Sequence, residues 1–348
     1  MKEKPTVSVI IVNYNGGEHI ASCIEALCTD QQYPSTEILF VDNASTDCSL
    51  EVAKEVAAGH PEIKIIKSAV NRGFSAGINL GFSHAKGKYI AVLNMDTMVE
   101  EGWLLNPIEF MESNPQVGAI SPLLVLDADK TRINAIGQDI HVTGLGFNRD
   151  LWKNRFHLIH EPIKVSGIHG AAFITRKNIL DQIGGMDEVG FLYHEDVELS
   201  WLLQLMGYKL YCIPTSVVSH KYFLSMHPEK LYLLERNRLT MLLCNLDVLT
   251  LLLLIPILLL TELLMWGYCI LRGRNFLAAK LASYKWILQQ AKYIKDRRNW
   301  VRSLRKCNDW QILRGLTFSF AWRQFLNLGL ENENSRRQPT DGIPVKIG

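Results

Sequence analysis

Four times in its first hundred residues the chain runs through a short apolar, β-branched stretch, ends it on Asn or Asp, and turns to helical spacing. The stretches are Thr6–Val12, Glu37–Val41, Ile63–Ile66 and Tyr89–Leu93. Runs this short, with few polar interruptions, read as strands covered on both faces. Between them Ile20, Cys23, Ile24 and Leu27 recur at helical spacing. Leu50, Val52 and Val56 do the same in a helix that Ser45 or Asp47 can cap and that runs through Ala58. A third helix follows Asn71-Arg-Gly-Phe-Ser-Ala-Gly77 and ends near Ala85. Such alternation predicts βαβ units, hence an α/β fold with a mostly parallel sheet flanked by helices.

In such sheets ligands bind beyond the carboxyl ends of the strands. Asn13 with Asn15, Asp42 with Asn43, Asn71 with Arg72, and Asn94 with Asp96 all fall on that edge. Together they point to a polar ligand with several phosphate or hydroxyl groups. Asn94 and Asp96 share one side of an extended backbone, and an all-oxygen pair suits a hard divalent cation carrying phosphate oxygens. The alternative is a turn that caps a helix starting near Glu100. The glycines at 73, 77 and 81 lack the GxGxxG spacing, and no GxxxxGK[ST] loop exists, which disfavours dinucleotide oxidoreductases and P-loop kinases. Seven cysteines without a CxxC pair argue against a disulfide framework or a zinc site and fit a reducing, cytoplasmic setting. Met1-Lys-Glu-Lys-Pro leads straight into a strand, so no secretory signal is expected.

Val117–Val125, Ile163–Thr175, Tyr208–Ile213 and Ser216–His220 read as further strands. Between them stands Tyr193-His-Glu-Asp-Val-Glu-Leu199. Asp196 there can be a general base, its basicity raised by an aromatic wall of Phe191, Tyr193 and Trp201. The plainer alternative has Glu195 and Asp196 complementing a helix dipole. His220, at the end of its strand, is able to complete a metal site.

These pieces, in this order, resemble glycosyltransferase family 2, inverting enzymes of the GT-A fold, and within it the rhamnosyltransferase-like branch. The resemblance rests on Val9-Ile-Ile-Val-Asn-Tyr-Asn15, Val41-Asp-Asn-Ala-Ser-Thr-Asp47, Asn71-Arg-Gly-Phe-Ser-Ala-Gly-Ile-Asn79, Leu93-Asn-Met-Asp-Thr97, Gly184-Gly-Met-Asp187, Tyr193–Leu199 and His220. It implies a substrate-binding set of Asn13, Asn15, Asp42, Asn71, Asn79, Asn94, Glu195 and Arg236. It makes Asp196 the catalytic base and Asp96 and His220 ligands of Mg2+ or Mn2+. Asn94 stands where the family's DxD motif has its first Asp. The implied reaction moves a sugar, rhamnose from dTDP-rhamnose in this branch, from a nucleotide-sugar donor to a hydroxyl of a lipid-linked saccharide in cell-surface polysaccharide synthesis. No nucleic-acid partner is expected, and the oligomeric state is open. Two rivals are a sugar nucleotidyltransferase and a catalytically inactive membrane scaffold. The first usually carries a basic Gly-rich loop after its first strand, whereas Asn13-Tyr-Asn-Gly-Gly17 has no cation.

Val248–Thr261 is free of charge, with Pro256 inside it, and Leu263–Leu271 follows Glu262. Together they are long enough to cross a bilayer. From Arg272 to Arg314 twelve Lys and Arg face only Asp296 and Asp309. Basic flanks and a cytosolic donor place both ends on the cytoplasmic face, so a re-entrant or interfacial hairpin bent at Pro256 is expected. Phe276–Trp300 would then lie on anionic headgroups of the inner (plasma) membrane. The expected organisation is a catalytic domain over 1–240, a membrane-associated helical region over 241–330 and a disordered tail over 331–348.

Overall fold

The computed structural model describes residues 7–17, 19–30, 35–222 and 225–327. The expected disordered tail, and the amino-terminal Met1–Thr6, lie outside the described residues. The chain resolves into a sheet unit, built from residues up to Gln138, Asn148–Asp196 and Tyr208–Tyr222, and a helical unit, built from Asp139–Phe147, Val197–Gly207 and the residues after Tyr222.

The sheet unit opens with β1 (Val7–Asn13), α1 (His19–Thr29), β2 (Thr36–Asp42), α2 (Ser49–Ala57), β3 (Ile63–Lys67), α3 (Phe74–Phe82) and β4 (Tyr89–Asn94). These strands pair in parallel in the order β4-β1-β2-β3. All seven residues of β1 are buried, which explains why the sequence there is apolar rather than alternating. After β4 come β5 (Thr97–Val99), α4 (Leu105–Ser113), β6 (Val117–Leu126), β7 (Asp129–Ala135), β8 (Gln138–Ile140), β9 (Gly146–Asn148), β10 (Ile163–Val165), β11 (Ala172–Arg176), α5 (Lys177–Ile183), α6 (Glu195–Leu205) and β12 (Lys209–His220). The full sheet has ten strands in the order β10-β12-β6-β11-β4-β1-β2-β3, with β5 on β12 and β7 on β6. β11 runs antiparallel between β4 and β6.

Three sequence expectations are corrected here. The stretch 163–175 is two strands, not one. Gly167 and Gly170 interrupt it, so β10 joins β12 at one edge while β11 enters the centre. Conversely 208–213 and 216–220 form one strand, β12, with a register break between Ile213 and Val217 around Pro214, which has no N–H for the ladder. The helix after Asp96 starts at Leu105, because Thr97–Val99 first pairs with β12; Asp96 caps nothing.

The helical unit contains α7 (Pro228–Asn245), α8 (Val248–Arg272), α9 (Arg274–Gln289), α10 (Ala291–Leu304), α11 (Asp309–Leu313) and α12 (Trp322–Asn327). The expected hairpin turn at Pro256 is absent: α8 runs through it as one helix of 25 residues. The corner falls at Gly273, whose φ of +97° is closed to other residues. Around it α9 folds back on α8, with Trp266 stacked on Tyr284 and the Tyr284 hydroxyl on Glu262.

Where α7, α8 and α9 meet, four charges are enclosed. Glu235 pairs with Arg238 at 2.9 Å and with Lys280, and Glu262 pairs with Arg238 at 2.6 Å and Lys280 at 2.7 Å. Burial alone would raise the Glu235 carboxyl, but Arg238 and Lys280 outweigh it and hold it down to about 2. A folded pKa below the unfolded one contributes stability above the unfolded carboxylate range, and loses it as pH falls toward 2. Glu235→Gln leaves two buried cations with one carboxylate. It is expected to destabilise the helical unit by about 3–5 kcal/mol near neutral pH. Denaturant melts of the two proteins should converge as the pH is lowered from about 5 toward 3, where the carboxylate's advantage fades. A constant gap would show that Glu235 acts through packing alone.

Candidate active site

Parallel pairing brings Asn13 and Asp42 to the same level of neighbouring strands. Asn13 is wholly buried, and its amide donates to Asp42 Oδ1 (3.1 Å), Ser45 Oγ (2.9 Å) and Ser49 Oγ (2.8 Å) while Oδ1 accepts from Gly16 N–H. Asn13 therefore shapes the pocket floor from within. Asn15 takes a left-handed backbone (φ 55°), which Asn tolerates, and its Oδ1 accepts from Thr46 N–H at 2.7 Å. On the next loop Asn43 donates to Asn71 Oδ1 at 3.0 Å, and Asn71 Oδ1 also accepts from Gly73 N–H. The predicted strand-end residues are thus one hydrogen-bonded rim.

Asn79 has a different position from that expected of a ligand contact. Its amide donates to Met186 O and Glu188 Oε1, both at 2.9 Å, and its Oδ1 accepts from Met186 N–H at 2.7 Å. Arg72 pairs with Glu188 at 2.5 Å, and Phe191 O accepts from Phe74 N–H at 2.7 Å. Asn79 and its neighbours hold the 185–191 loop that leads to Asp196. In that lead Phe191, Tyr193 and His194 all have positive φ (64°, 64° and 74°), a conformation costing each about 1–2 kcal/mol. Strain of this kind concentrates at functional loops.

Asp196 is buried, and its Oδ2 accepts from Gly170 N–H (2.7 Å) and Gln138 Nε2 (3.0 Å). Gln138 and Gly170 were not singled out from the sequence, because nothing local marks residues that lie 58 and 26 positions from their partner. Glu195 opens α6 beside Asp196, and Asn94 closes β4, its backbone N–H donating to Ala171 O.

Asp96 and His220 are brought together as expected. Asp96 Oδ1 is buried without a hydrogen-bond partner, 3.6 Å from His220 Nε2. His220 Nδ1 lies 2.8 Å from Asn134 Oδ1, with Nε2 toward the carboxylate. An imidazole nitrogen oriented from behind and an orphaned carboxylate oxygen fit a divalent cation. Next to them His169 is held neutral, its pKa driven to about 3 by burial and then by His220. Arg236, expected in the substrate set, lies within the helical unit with its guanidinium against the Trp286 and Tyr232 rings, at 4.6 and 5.1 Å.

The family profile described as glycosyl transferase family 2 matches residues 8–184, just over half of the chain. An uncharacterized glycosyltransferase of Haemophilus influenzae is 29% identical over 201 residues, 56% of this chain and 59% of its own. The N-acetylglucosaminyl-diphospho-decaprenol L-rhamnosyltransferase of Mycobacterium tuberculosis is 24% identical over 233 residues, 61% of this chain and 75% of that one. The first three curated relatives are matched over only 59%, 28% and 46% of their length. Among solved structures, GalNAc-T7 with UDP, GalNAc and Mn2+ superposes at a TM-score of 0.57 and 17% identity, over 70% of this chain and 48% of that one. That likeness is one of fold.

Two glycines test how tightly the rim holds the loop. A Cβ on Gly73 would meet Phe191 O at 2.2 Å with φ at +90°, whereas a Cβ on Gly184 (φ +73°) meets nothing. Gly184→Ala is expected to cost about 1–2 kcal/mol in denaturant melts, the left-handed penalty alone. Gly73→Ala is expected to cost about 2–5 kcal/mol, since overpacking adds to it. Equal losses would mean that the loop yields freely.

Proposed function

The chain belongs to glycosyl transferase family 2, and from that premise we propose that it is an inverting glycosyltransferase taking a sugar from a nucleotide-sugar donor. Its fold is GT-A, an α/β arrangement with a mostly parallel central sheet flanked by helices. We propose rhamnose from dTDP-rhamnose as the donor, and a hydroxyl of a lipid-linked saccharide used in cell-surface polysaccharide synthesis as the acceptor. What supports that choice is the likeness to a mycobacterial rhamnosyltransferase whose named acceptor is a lipid diphosphate sugar.

The observation that carries the reading is the buried Asp96 oxygen without a hydrogen-bond partner, 3.6 Å from His220 Nε2. Asp96 and His220 would hold Mg2+ or Mn2+, which when bound supplies positive charge to the leaving diphosphate. The rim of Asn13, Asn15, Asp42 and Asn71 would orient the nucleoside. Asp196 would take the acceptor's hydroxyl proton as that oxygen bonds to the anomeric carbon and the bond to the diphosphate breaks. One displacement inverts the centre and requires no enzyme nucleophile. Gly170 and Gln138 keep the Asp196 carboxylate in one orientation for this.

We further place the protein on the cytoplasmic face of the plasma membrane. Leu249, Leu252, Leu253, Leu259, Leu260 and Leu263 of α8 all point outward, each more than half exposed. Burying such hydrocarbon contributes about 25 cal/mol per Å² regardless of salt. Cations add about 1 kcal/mol each near anionic lipid, and that part is screened. The basic surplus is smaller than its count suggests, because Lys280 is enclosed and Arg297 and Arg305 pair with Glu198 and Asp309. Lys285, Lys292 and Lys295 are exposed and remain for headgroups.

Three measurements test the reading. A panel of dTDP-, UDP- and GDP-sugars offered with lipid extracts should give transfer with one donor and none after chelation; Asp96→Ala should match the chelated protein. Asp196→Asn should lower turnover roughly 100- to 10,000-fold with donor affinity retained; near-normal turnover would remove Asp196 from the role. Full-length protein should stay with membranes in high salt and leave in detergent, and salt release would defeat insertion.

A further inference from the structure

At the amino edge of the sheet, opposite the strand ends just described, the sheet unit gathers a second set of ligand-type side chains. Cys28 lies in the last turn of α1, and His60 and Glu62 lie in the turn from α2 to β3. Their Sγ, ring nitrogen and carboxylate oxygen are all within 4.8 Å of one another, with His60 Nδ1 at 3.0 Å from Glu62 Oε1. We propose that Cys28, His60 and Glu62 form a binding site for a borderline-soft divalent ion, Zn2+ by its chemistry, separate from the Asp96–His220 pair.

The donor set decides the class of metal. Thiolate, imidazole and carboxylate together suit Zn2+, whereas Mg2+ and Mn2+ prefer oxygen throughout. Around a tetrahedral Zn2+ such atoms stand roughly 3.3–3.8 Å apart, so a modest side-chain rotation closes the set. The backbone that carries the ligands is already fixed. Ile63 N–H donates to His60 O and Ile38 N–H to Glu62 O, both at 3.0 Å, so the turn is tied to β2. Cys28 is partly buried and packs against the main apolar core, which limits its freedom. The His60 and Glu62 side chains are about one third exposed, which leaves an entry path and room for a water as fourth ligand.

The charges balance. Without metal the Cys28 thiol is pushed up to about 11, by burial first and then by Glu62, with Glu25 adding to it. On binding, the S–H bond breaks, the sulfur pair goes to Zn2+ and one proton leaves to solvent. The thiolate and the Glu62 carboxylate then cancel the ion's two charges, and His60 stays neutral. The effect would be structural, tying the end of α1 to the start of β3. Such a site runs against the expectation of none that the cysteine spacing set, because its ligands come from two elements and no CxxC or HxxxH spacing links them.

Cobalt substitution tests the site in the full-length chain. A cysteine ligand gives Co2+ a thiolate charge-transfer band that an Asp–His pair does not. The chief confounder is Cys23, a buried thiol whose Sγ lies 3.7 Å from Asn94 O. Metal-stripped protein titrated with Co2+ should develop the band, lose it in Cys28→Ser and keep it in Cys23→Ser. Zn2+ should bleach it stoichiometrically. His60→Gln, on a half-exposed turn, should weaken Zn2+ binding at least about tenfold in competition with a chromophoric chelator. Melting temperature should rise with Zn2+ in the parent protein and not in Cys28→Ser. Absence of the band, its loss only in Cys23→Ser, or its survival in Cys28→Ser would overturn the proposal.

Discussion

The sheet unit depends on one wholly buried amide. Asn13 ends a strand with no polar residue facing water, at the edge where the chain must turn and where a polar ligand would sit. A buried amide left without partners costs several kcal/mol, so Asn13 must be answered, and Asp42, Ser45, Ser49 and Gly16 answer it. Because those partners sit on the β2–α2 loop and the turn after β1, satisfying one side chain fixes both loops. Asn43 and Asn71 repeat the device one loop further on. The rim is held together because its polar groups answer one another.

The parallel half of the fold was legible because its constraint is local. A strand covered on both faces is apolar along most of its length, and the middle stretches of β1, β2 and β4 are. The antiparallel half was less legible, because β10 and β11 look like one run until Gly167 and Gly170 are seen to separate them. The site divides in the same way. Strand-end residues such as Asp42 and Asp96 announce themselves by position, while Gln138 and Asn134 act on Asp196 and His220 across long separations. Asn79, expected in the donor pocket, also braces a loop, through bonds to the Met186 backbone that nothing near Asn79 in sequence announces.

In the helical unit the same logic runs in reverse. α8 is so apolar that composition alone cannot decide which side faces inward. Glu262 decides it, since turning it inward sets its charge against Arg238 and Lys280. Buried ion groups of this kind bring little net stability over an apolar replacement, but they penalise every other rotation of the helix. The outward face is then left to leucine, and Gly273 rather than Pro256 sets where the chain returns.

The loop before Asp196 joins the two arguments about constraint and strain. Three bulky residues in left-handed conformations would relax if they could, at a gain of a few kcal/mol in total. They are held by Gly73, whose missing Cβ lets Phe191 O approach, by Phe74 N–H, and by the Asn79 and Arg72 contacts to Met186 and Glu188. Each of those holding groups belongs to the β3–α3 loop or to α3. Asp196 is thus presented by a strained segment whose restraint comes from that loop and helix. A ligand that orders the 71–74 loop therefore also strengthens the hold on the lead to Asp196, whereas one that displaces it releases the strain and the base together.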